Sequence, residues 1–498
     1  MEPRRASDGH GERLSALDHS FLSLEGPTAH MHIGWFATFA PAPGGERPTV
    51  ESVRERIAAR VNWVPRCRQR LAFNPLDRLV GEPRWVDDVA FDLATHVTEL
   101  AGAPERFPER RDALLATALD RARPLWHVAL APRLADGRIG VVGRVHHAMA
   151  DGIAATQVAM LLLDDQSGEE GGRSDTWCAR PAPPALRWTL DPLLDGAELT
   201  GRALRELGRA ACAPRAWARE AAGSARRLAQ SLREDVLAPA PAWSLNVPIG
   251  PERTVIGHRA PMAELREAQA AHGGTVNDVA LAAVAGALRA QALERGERPC
   301  ALKAMVPVSV RRTEEYGQFG NRIAPVAIWL PLQHGSPVAR LQRVRVQTER
   351  FKRDQRQQGS RALLSGLALT PGPARRAVAR AAASPRAHNL VISNVAGPPA
   401  ALYMFGARLQ EIYPVVPLGP RNALSIGMLS YDGHLHFGVQ ADPGAFPGAA
   451  RLPELLAREI EQLADRRSEP ATVTSLSAHR AAGARQRGAR PVRPRTRR

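Results

Sequence analysis

Two adjacent histidines, His146 and His147, precede an aspartate, Asp151, which is followed at once by Gly152. Neutral imidazole takes up a proton near pH 7, because its unperturbed pKa of about 6.5 lies close by. His147 can therefore remove the proton of a hydroxyl or thiol as that atom attacks a carbonyl carbon. Assistance of this kind supplies roughly 10²–10⁴-fold in rate. His146 and Asp151 join it as candidate catalytic groups. Asp151 would hold the turn in shape through a buried ion pair, and Gly152 would permit close backbone packing. Two readings without acid–base chemistry stand beside this one. A histidine pair often does no more than pack, and two histidines with an aspartate are a facial ligand set for a metal ion. Adjacent side chains at the end of an extended strand point opposite ways, so His146 and His147 can hardly share one ion. No other His/Cys cluster in the chain has ligand spacing, and no metal is expected.

The neighbouring residues say how the pair is held. Ile139, Val141, Val142 and Val145 form a short strand-like run, and Asp136-Gly137 is a hairpin-closing dipeptide that pairs it with residues 125–131. Downstream, Ala154, Val158, Leu161 and Leu162 recur at helical spacing. The histidines thus fall at a sharp strand-to-helix turn, which can push a side chain out of the core toward a cleft.

Further elements follow from the same signals. Asp18 is placed to cap a short helix that Gly26-Pro27 breaks, and Met31–Phe39 reads as a strand. That opening segment is read as packing with no chemistry of its own, and His30 and His32 as structural. Arg68 and Arg70 are read as solvent-facing, and Trp126 as filling space under the turn. Residues 274–293 form a helix of small apolar residues capped by Thr275 or Asn277. A strand over 302–310 ends in Arg311 and Arg312, and Gly320-Asn321-Arg322 turns into a strand over 323–330. Helices are expected over 337–358, 362–383 and 452–463, and a hairpin joins 423–429 to 434–440 through Asp432-Gly433. The chain accordingly divides into a flexible 1–12, a first half 13–167, a connection 168–250 with Ala/Arg-rich helices, a second half 251–465 and a disordered Arg-rich tail 466–498.

The net charge of +17 invites a nucleic-acid reading, but its distribution does not support one. Residues 480–498 hold eight arginines and no acid, which leaves nine net positive charges for everything else. Aromatic residues are only 5%, without the basic–aromatic interleaving that stacks bases, so no nucleic-acid partner is expected. Cys67, Cys178, Cys212 and Cys300 are scattered without paired spacing, as suits reduced thiols in a cytosolic protein. The N-terminal stretch has no apolar core for a signal peptide, and no run of about 18 apolar residues is present to span a bilayer.

HHAMADG, residues 146–152, matches the HHxxxDG signature of the CoA-dependent acyltransferase superfamily, which includes chloramphenicol acetyltransferase and the condensation domains of nonribosomal peptide synthetases. Other stretches narrow the likeness: LSALDHSFLSLE at the start, VPRCRQRL, Pro124-Leu125-Trp126, Asn277-Asp278, Gly320-Asn321-Arg322, NLVISNVAGP, YPVVPLG and Ser430-Tyr431-Asp432-Gly433. Over roughly residues 13–465 the chain resembles the bacterial wax ester synthase/diacylglycerol acyltransferase family. It departs at Ala396, where proline is usual.

The resemblance implies an α+β fold of two chloramphenicol-acetyltransferase-like halves, each a mixed β-sheet flanked by helices, with a tunnel between them. It implies His147 as general base, Arg311 as the partner of Asp151, and Asn277, Asp278, Asn321 and Arg322 along the substrate and CoA path. The reaction implied moves a fatty acyl group from acyl-CoA, a co-substrate, to diacylglycerol or a long-chain alcohol, with no further cofactor. No covalent acyl-enzyme is needed, and no GxSxG elbow is present. Association would be peripheral, at the cytoplasmic face of the membrane or on lipid droplets. The rivals are a carrier-protein-dependent condensation enzyme and an idle lipid-coat or nucleic-acid-binding protein.

Overall fold

The structure, a computed structural model, describes residues 10–42, 44–73, 83–165, 177–184, 238–309, 321, 323–353 and 372–465, with scattered positions between 188 and 226. Arg311, Arg312, Gly320 and Arg322, the tail 466–498 and most of the 168–237 connection lie outside the described residues, so the expectations placed on them do too.

Helix α1 (Ala16–Leu24) opens the first half. Its N-cap is Ser15, whose hydroxyl accepts the backbone N–H of Asp18 at 3.1 Å. Asp18 is therefore not the cap; it sits inside the first turn with its carboxylate free for other partners. Strand β1 (His32–Ala40) and helix α2 (Val50–Arg60) follow, then the small ribbon of β2 (Gln69–Ala72) and β3 (Arg84–Asp87). After β4 (Val97–Glu99) and α3 (Phe107–Leu115), β5 (Trp126–Ala131) and β6 (Ile139–His146) form the expected antiparallel hairpin and lead into α4 (Gly152–Ala159). Arg68 does not face solvent: it is buried, with its guanidinium 4.7 Å from the ring centre of Trp177.

The second half begins with β7 (Thr254–Pro261), α5 (Met262–His272) and α6 (Val276–Glu294). Thr275 and Asp278 close a capping box at the start of α6: the Asp278 carboxylate accepts both the backbone N–H and the hydroxyl of Thr275 at 2.8 Å. Strands β8 (Ala301–Ser309) and β9 (Ile323–Pro331), helix α7 (Pro337–Arg353), helix α8 (Gly372–Ala382) and β10 (Leu390–Ala396) come next. Strands β11 (Tyr403–Met404), β12 (Ala407–Val415), β13 (Leu424–Tyr431) and β14 (His434–Ala441) precede the closing helix α9 (Leu452–Ala464). The turn between β13 and β14 takes positive φ at both Asp432 (41°) and Gly433 (74°), as a two-residue hairpin of matching twist requires.

Two six-stranded mixed sheets result, in the orders β11-β12-β1-β6-β5-β4 and β7-β14-β13-β10-β8-β9. The sequence does not foretell that β12, from the second half of the chain, pairs antiparallel with β1 and so completes the first sheet. It also lies across the second sheet. Gly257, Gly438 and Gly427 are register partners on neighbouring strands, and a Cβ on Gly438 would stand 1.8 Å from the Pro414 carbonyl oxygen. Only bare backbone at Gly438 lets the two sheets meet here. Tyr413 continues the seam, stacking on Phe36 of β1 with ring centres 4.8 Å apart. Among the described residues no helix is long and apolar enough to cross a membrane.

Candidate active site

Strand β6 delivers the histidine pair to the turn, and the two rings part company there. His146 is completely buried. The backbone N–H of Ala148 donates to its Nδ1 at 3.0 Å, so the ring proton belongs on Nε2, which faces the Glu25 carboxylate at 3.6 Å. Glu25 in turn accepts Arg121 Nε at 2.6 Å. Burial pushes the Glu25 carboxyl up, but His146 and Arg121 outweigh it and hold it below the usual range. Burial likewise keeps His146 below the ordinary histidine value. His32 stands edge-on to His146, with ring centres 5.8 Å apart. His146 was expected among the catalytic groups. The structure encloses its ring in the turn, fully buried and facing Glu25.

His147 points the other way and keeps a partly exposed surface. Its backbone N–H donates to the Met31 carbonyl at 2.9 Å; Met31, at a φ of 47°, is held in the left-handed region that non-glycine residues seldom adopt. Phe21 of α1 lies flat on the imidazole, ring centres 3.8 Å apart and planes 7° from parallel. Despite its partial exposure, desolvation of the ring pushes its pKa down to about 4; the residue's own carbonyl, the Asp151 charge and Asn321 pull the other way. The imidazole is therefore neutral at pH 7, the form that accepts a proton.

Asp151, also buried, is the N-cap of α4, its carboxylate accepting the Ala154 N–H at 2.9 Å. The pairing with Arg311 lies outside the described residues. Gly152 packs as anticipated, and the structure supplies its partner: a Cβ there would sit 2.9 Å from Cγ2 of Val395 on β10. The signature turn thus rests directly on the second half of the chain.

Asn321, expected on the substrate path, is built into the turn. It is buried, and its Nδ2 donates to the His147 carbonyl at 2.6 Å and to the Asp18 carboxylate at 2.5 Å. Burial pushes Asp18 up to about 6, against the hydrogen bonds from Asn321 and Ser15. Asp278 is buried and closes the capping box of α6. Asn277 stays partly exposed, and its Oδ1 accepts Asn394 Nδ2 at 2.8 Å, one residue along β10 from Val395. The structure therefore brings together His147, Asp151, Gly152 and Asn321, and sets Asn277 on the adjoining strand–helix edge.

Sequence reasoning missed the contribution of α1. Asp18, Phe21 and Glu25 recur at i, i+3 and i+7, one face of the segment, and all three reach the turn: Asp18 through Asn321, Phe21 on His147, Glu25 on His146. Two acids on the same face as Leu14 and Leu22, both buried, were the available signal.

Comparison with known proteins agrees with this architecture. The family profile described as the wax ester synthase/diacylglycerol acyltransferase catalytic domain matches residues 14–280, and that of the WS/DGAT C-terminal domain matches residues 319–464. A Mycobacterium tuberculosis protein named a probable diacylglycerol O-acyltransferase is 32% identical over 458 residues, 90% of this chain and 94% of that one. A Mycobacterium bovis protein named for the same activity is 33% identical over 461 residues, 90% of each. Among solved structures, the wax ester synthase/diacylglycerol acyltransferase from Marinobacter aquaeolei VT8 superposes with a TM-score of 0.64 at 25% identity, covering 91% of this chain and 98% of that one. The starter condensation domain of rhizomide synthetase shares the fold, with a TM-score of 0.56 at 16% identity over 92% of this chain and 95% of its own. The chain belongs to the wax ester synthase/diacylglycerol acyltransferase family.

Proposed function

We propose that the protein transfers a fatty acyl group from acyl-CoA to the hydroxyl of diacylglycerol, giving triacylglycerol, or of a long-chain alcohol, giving a wax ester. His147 is the general base. The observation that carries this reading is the imidazole itself: neutral at pH 7, partly exposed, and clamped between Phe21 and Asn321 where the two halves meet. With Nδ1 shielded from solvent inside the turn, the ring offers Nε2 to an incoming hydroxyl. Nε2 takes the hydroxyl proton as the oxygen attacks the thioester carbonyl. The tetrahedral adduct then expels the CoA thiolate, which takes that proton back from the imidazolium. Proton and acyl group both balance with acyl-CoA as co-substrate, so the reading requires neither a further cofactor nor an acyl-enzyme. A donor for the developing oxyanion comes from a backbone amide of the turn or from Asn277 Nδ2, whose partner oxygen is already occupied by Asn394.

The acceptor classes follow from the relatives' names, and both dissolve in lipid. The same reading puts the protein peripherally at the cytoplasmic face of a membrane or on lipid droplets. Residues 480–498 carry eight arginines, each worth about 1 kcal/mol near an anionic surface. Incubation with labelled palmitoyl-CoA and either dioleoylglycerol or hexadecanol tests the assignment. Label appearing in triacylglycerol or wax ester supports it. Transfer to neither, with an acyl carrier protein required as donor, overturns it in favour of a condensation-type enzyme.

A further inference from the structure

Besides the contact of Gly152 with Val395, the two halves of the chain meet at the signature turn through the side chain of Asn321. Asn321 comes from the second half, yet its amide bridges two groups of the first. Both neighbours of Nδ2, the Asp18 carboxylate and the His147 carbonyl, are acceptors, which fixes the amide orientation and leaves Oδ1 as the end turned elsewhere. Asn321 Oδ1 is shielded from solvent and has no hydrogen-bond donor among the described residues; His147 Nδ1 is shielded and has no well-aligned acceptor there. These atoms belong to residues already in contact. Asp18 holds the amide from behind, accepting its backbone N–H at 3.4 Å as well as Nδ2.

We propose that Asn321, fixed by Asp18, is the positioning residue for His147: it grips the carbonyl of the catalytic residue and presents Oδ1 to the imidazole Nδ1–H. The arrangement follows the logic by which a base is oriented by a third group, so that one ring nitrogen keeps its proton and the other meets the substrate. The support of Nδ1–H matters most when the ring carries two protons, between attack and departure of the thiolate. The direction of the His147 pKa agrees, since Asn321 raises it against desolvation. Asp18 touches no reacting atom and acts only through the amide. This inference rests on His147 being the base.

The test compares the purified full chain with Asn321→Ala, Asp18→Ala, Asp18→Asn and His147→Ala, using palmitoyl-CoA and the acceptor that the wild type prefers. Asn321→Ala and Asp18→Ala should lower kcat by about ten- to hundredfold, the scale set by misplacing a reacting group, while the KM for acyl-CoA changes by less than about threefold. The acidic limb of kcat/KM against pH should move to lower pH in Asn321→Ala, because the group that raises the pKa of His147 is gone. Asp18→Asn keeps an acceptor oxygen for the amide and should recover activity to within about threefold of wild type. Should Asn321→Ala fail to fold by circular dichroism, the Asp18 pair makes the same comparison, with equal kcat in both counting against the proposal. A folded Asn321→Ala with wild-type kcat and an unmoved limb, beside an inactive His147→Ala, overturns the positioning role and leaves the base assignment standing. An active His147→Ala removes the base assignment and this inference with it.

Discussion

Phe21 and His147 lie face to face, ring centres 3.8 Å apart and planes 7° from parallel, although they come from elements more than a hundred residues apart in the chain. The contact keeps water from one whole face of the imidazole and blocks rotation of the ring toward the core. It is one source of the desolvation that holds His147 at about 4. Replacing Phe21 by alanine should let solvent in, so the acidic limb of the pH–rate profile should climb toward the ordinary histidine value of about 6.5. The freed ring should also cost about fivefold in kcat, in line with roughly 1 kcal/mol for an aromatic stacking contact. Steady-state kinetics from pH 4 to 8 check both effects. An unmoved limb would contradict the account of the low pKa.

The contact of Gly152 with Val395 makes a second, reciprocal prediction. An alanine at 152 places its Cβ 2.9 Å from Cγ2 of Val395, so the turn and β10 must move apart. Gly152→Ala alone should destabilise by about 1–3 kcal/mol, the usual cost of overpacking, and lower activity with it. Shortening the partner in Gly152→Ala/Val395→Ala should restore more than either single change predicts. Urea unfolding of the four proteins gives the coupling energy, and additive effects would mean that the two residues do not press on each other.

Acid should weaken the fold over a defined window. Burial holds His127, His147 and His388 down at about 4 and His436 at about 3. Between about pH 6.5 and those values the unfolded chain binds protons that the native one refuses, so stability falls as pH is lowered through that range. Asp18, pushed up to about 6, acts in the opposite sense between about 3.8 and 6 and offsets only part of the loss. The urea midpoint should therefore drop from pH 7.5 to pH 5. A midpoint that stays level or rises would show that these histidines are not held neutral.

The seam between the sheets tolerates no side chain at position 438. A Cβ there meets the backbone oxygen of Pro414 at 1.8 Å, and a backbone atom of a paired strand cannot rotate away. Gly438→Ala should cost more than about 3 kcal/mol, or leave no soluble folded protein. Thermal melting followed by circular dichroism decides it. A transition within roughly 2 °C of wild type would show the sheets to be less closely apposed.

Much of this was readable in the residues and some was not, for physical reasons. The β5–β6 hairpin and the turn into α4 announce themselves by alternation, a turn dipeptide and helical spacing, all local signals. Alternation also says that His146 and His147 face opposite ways, but not which of them faces the cleft. That depends on Glu25, which contacts His146 from α1, and Phe21, which covers His147 from the same segment. β12 shows a period of two in its burial, yet nothing in a strand's own sequence names its neighbours, so its pairing with β1 was hidden. Asp18 misled because an acid near a helix start reads as a cap; Ser15 had already taken that place. The Gly320-Asn321-Arg322 turn points to Asn321, but its bridging of Asp18 and His147 is a contact between distant parts of the chain that no local pattern encodes.

The most direct measurement is the turnover of purified His147→Ala with labelled palmitoyl-CoA and an acceptor alcohol, beside a circular dichroism spectrum of the same sample. A native-like spectrum with a loss of about 10²–10⁴-fold in kcat is the predicted result. Wild-type turnover in a folded His147→Ala would contradict the account, since the proton would then have been taken by another group.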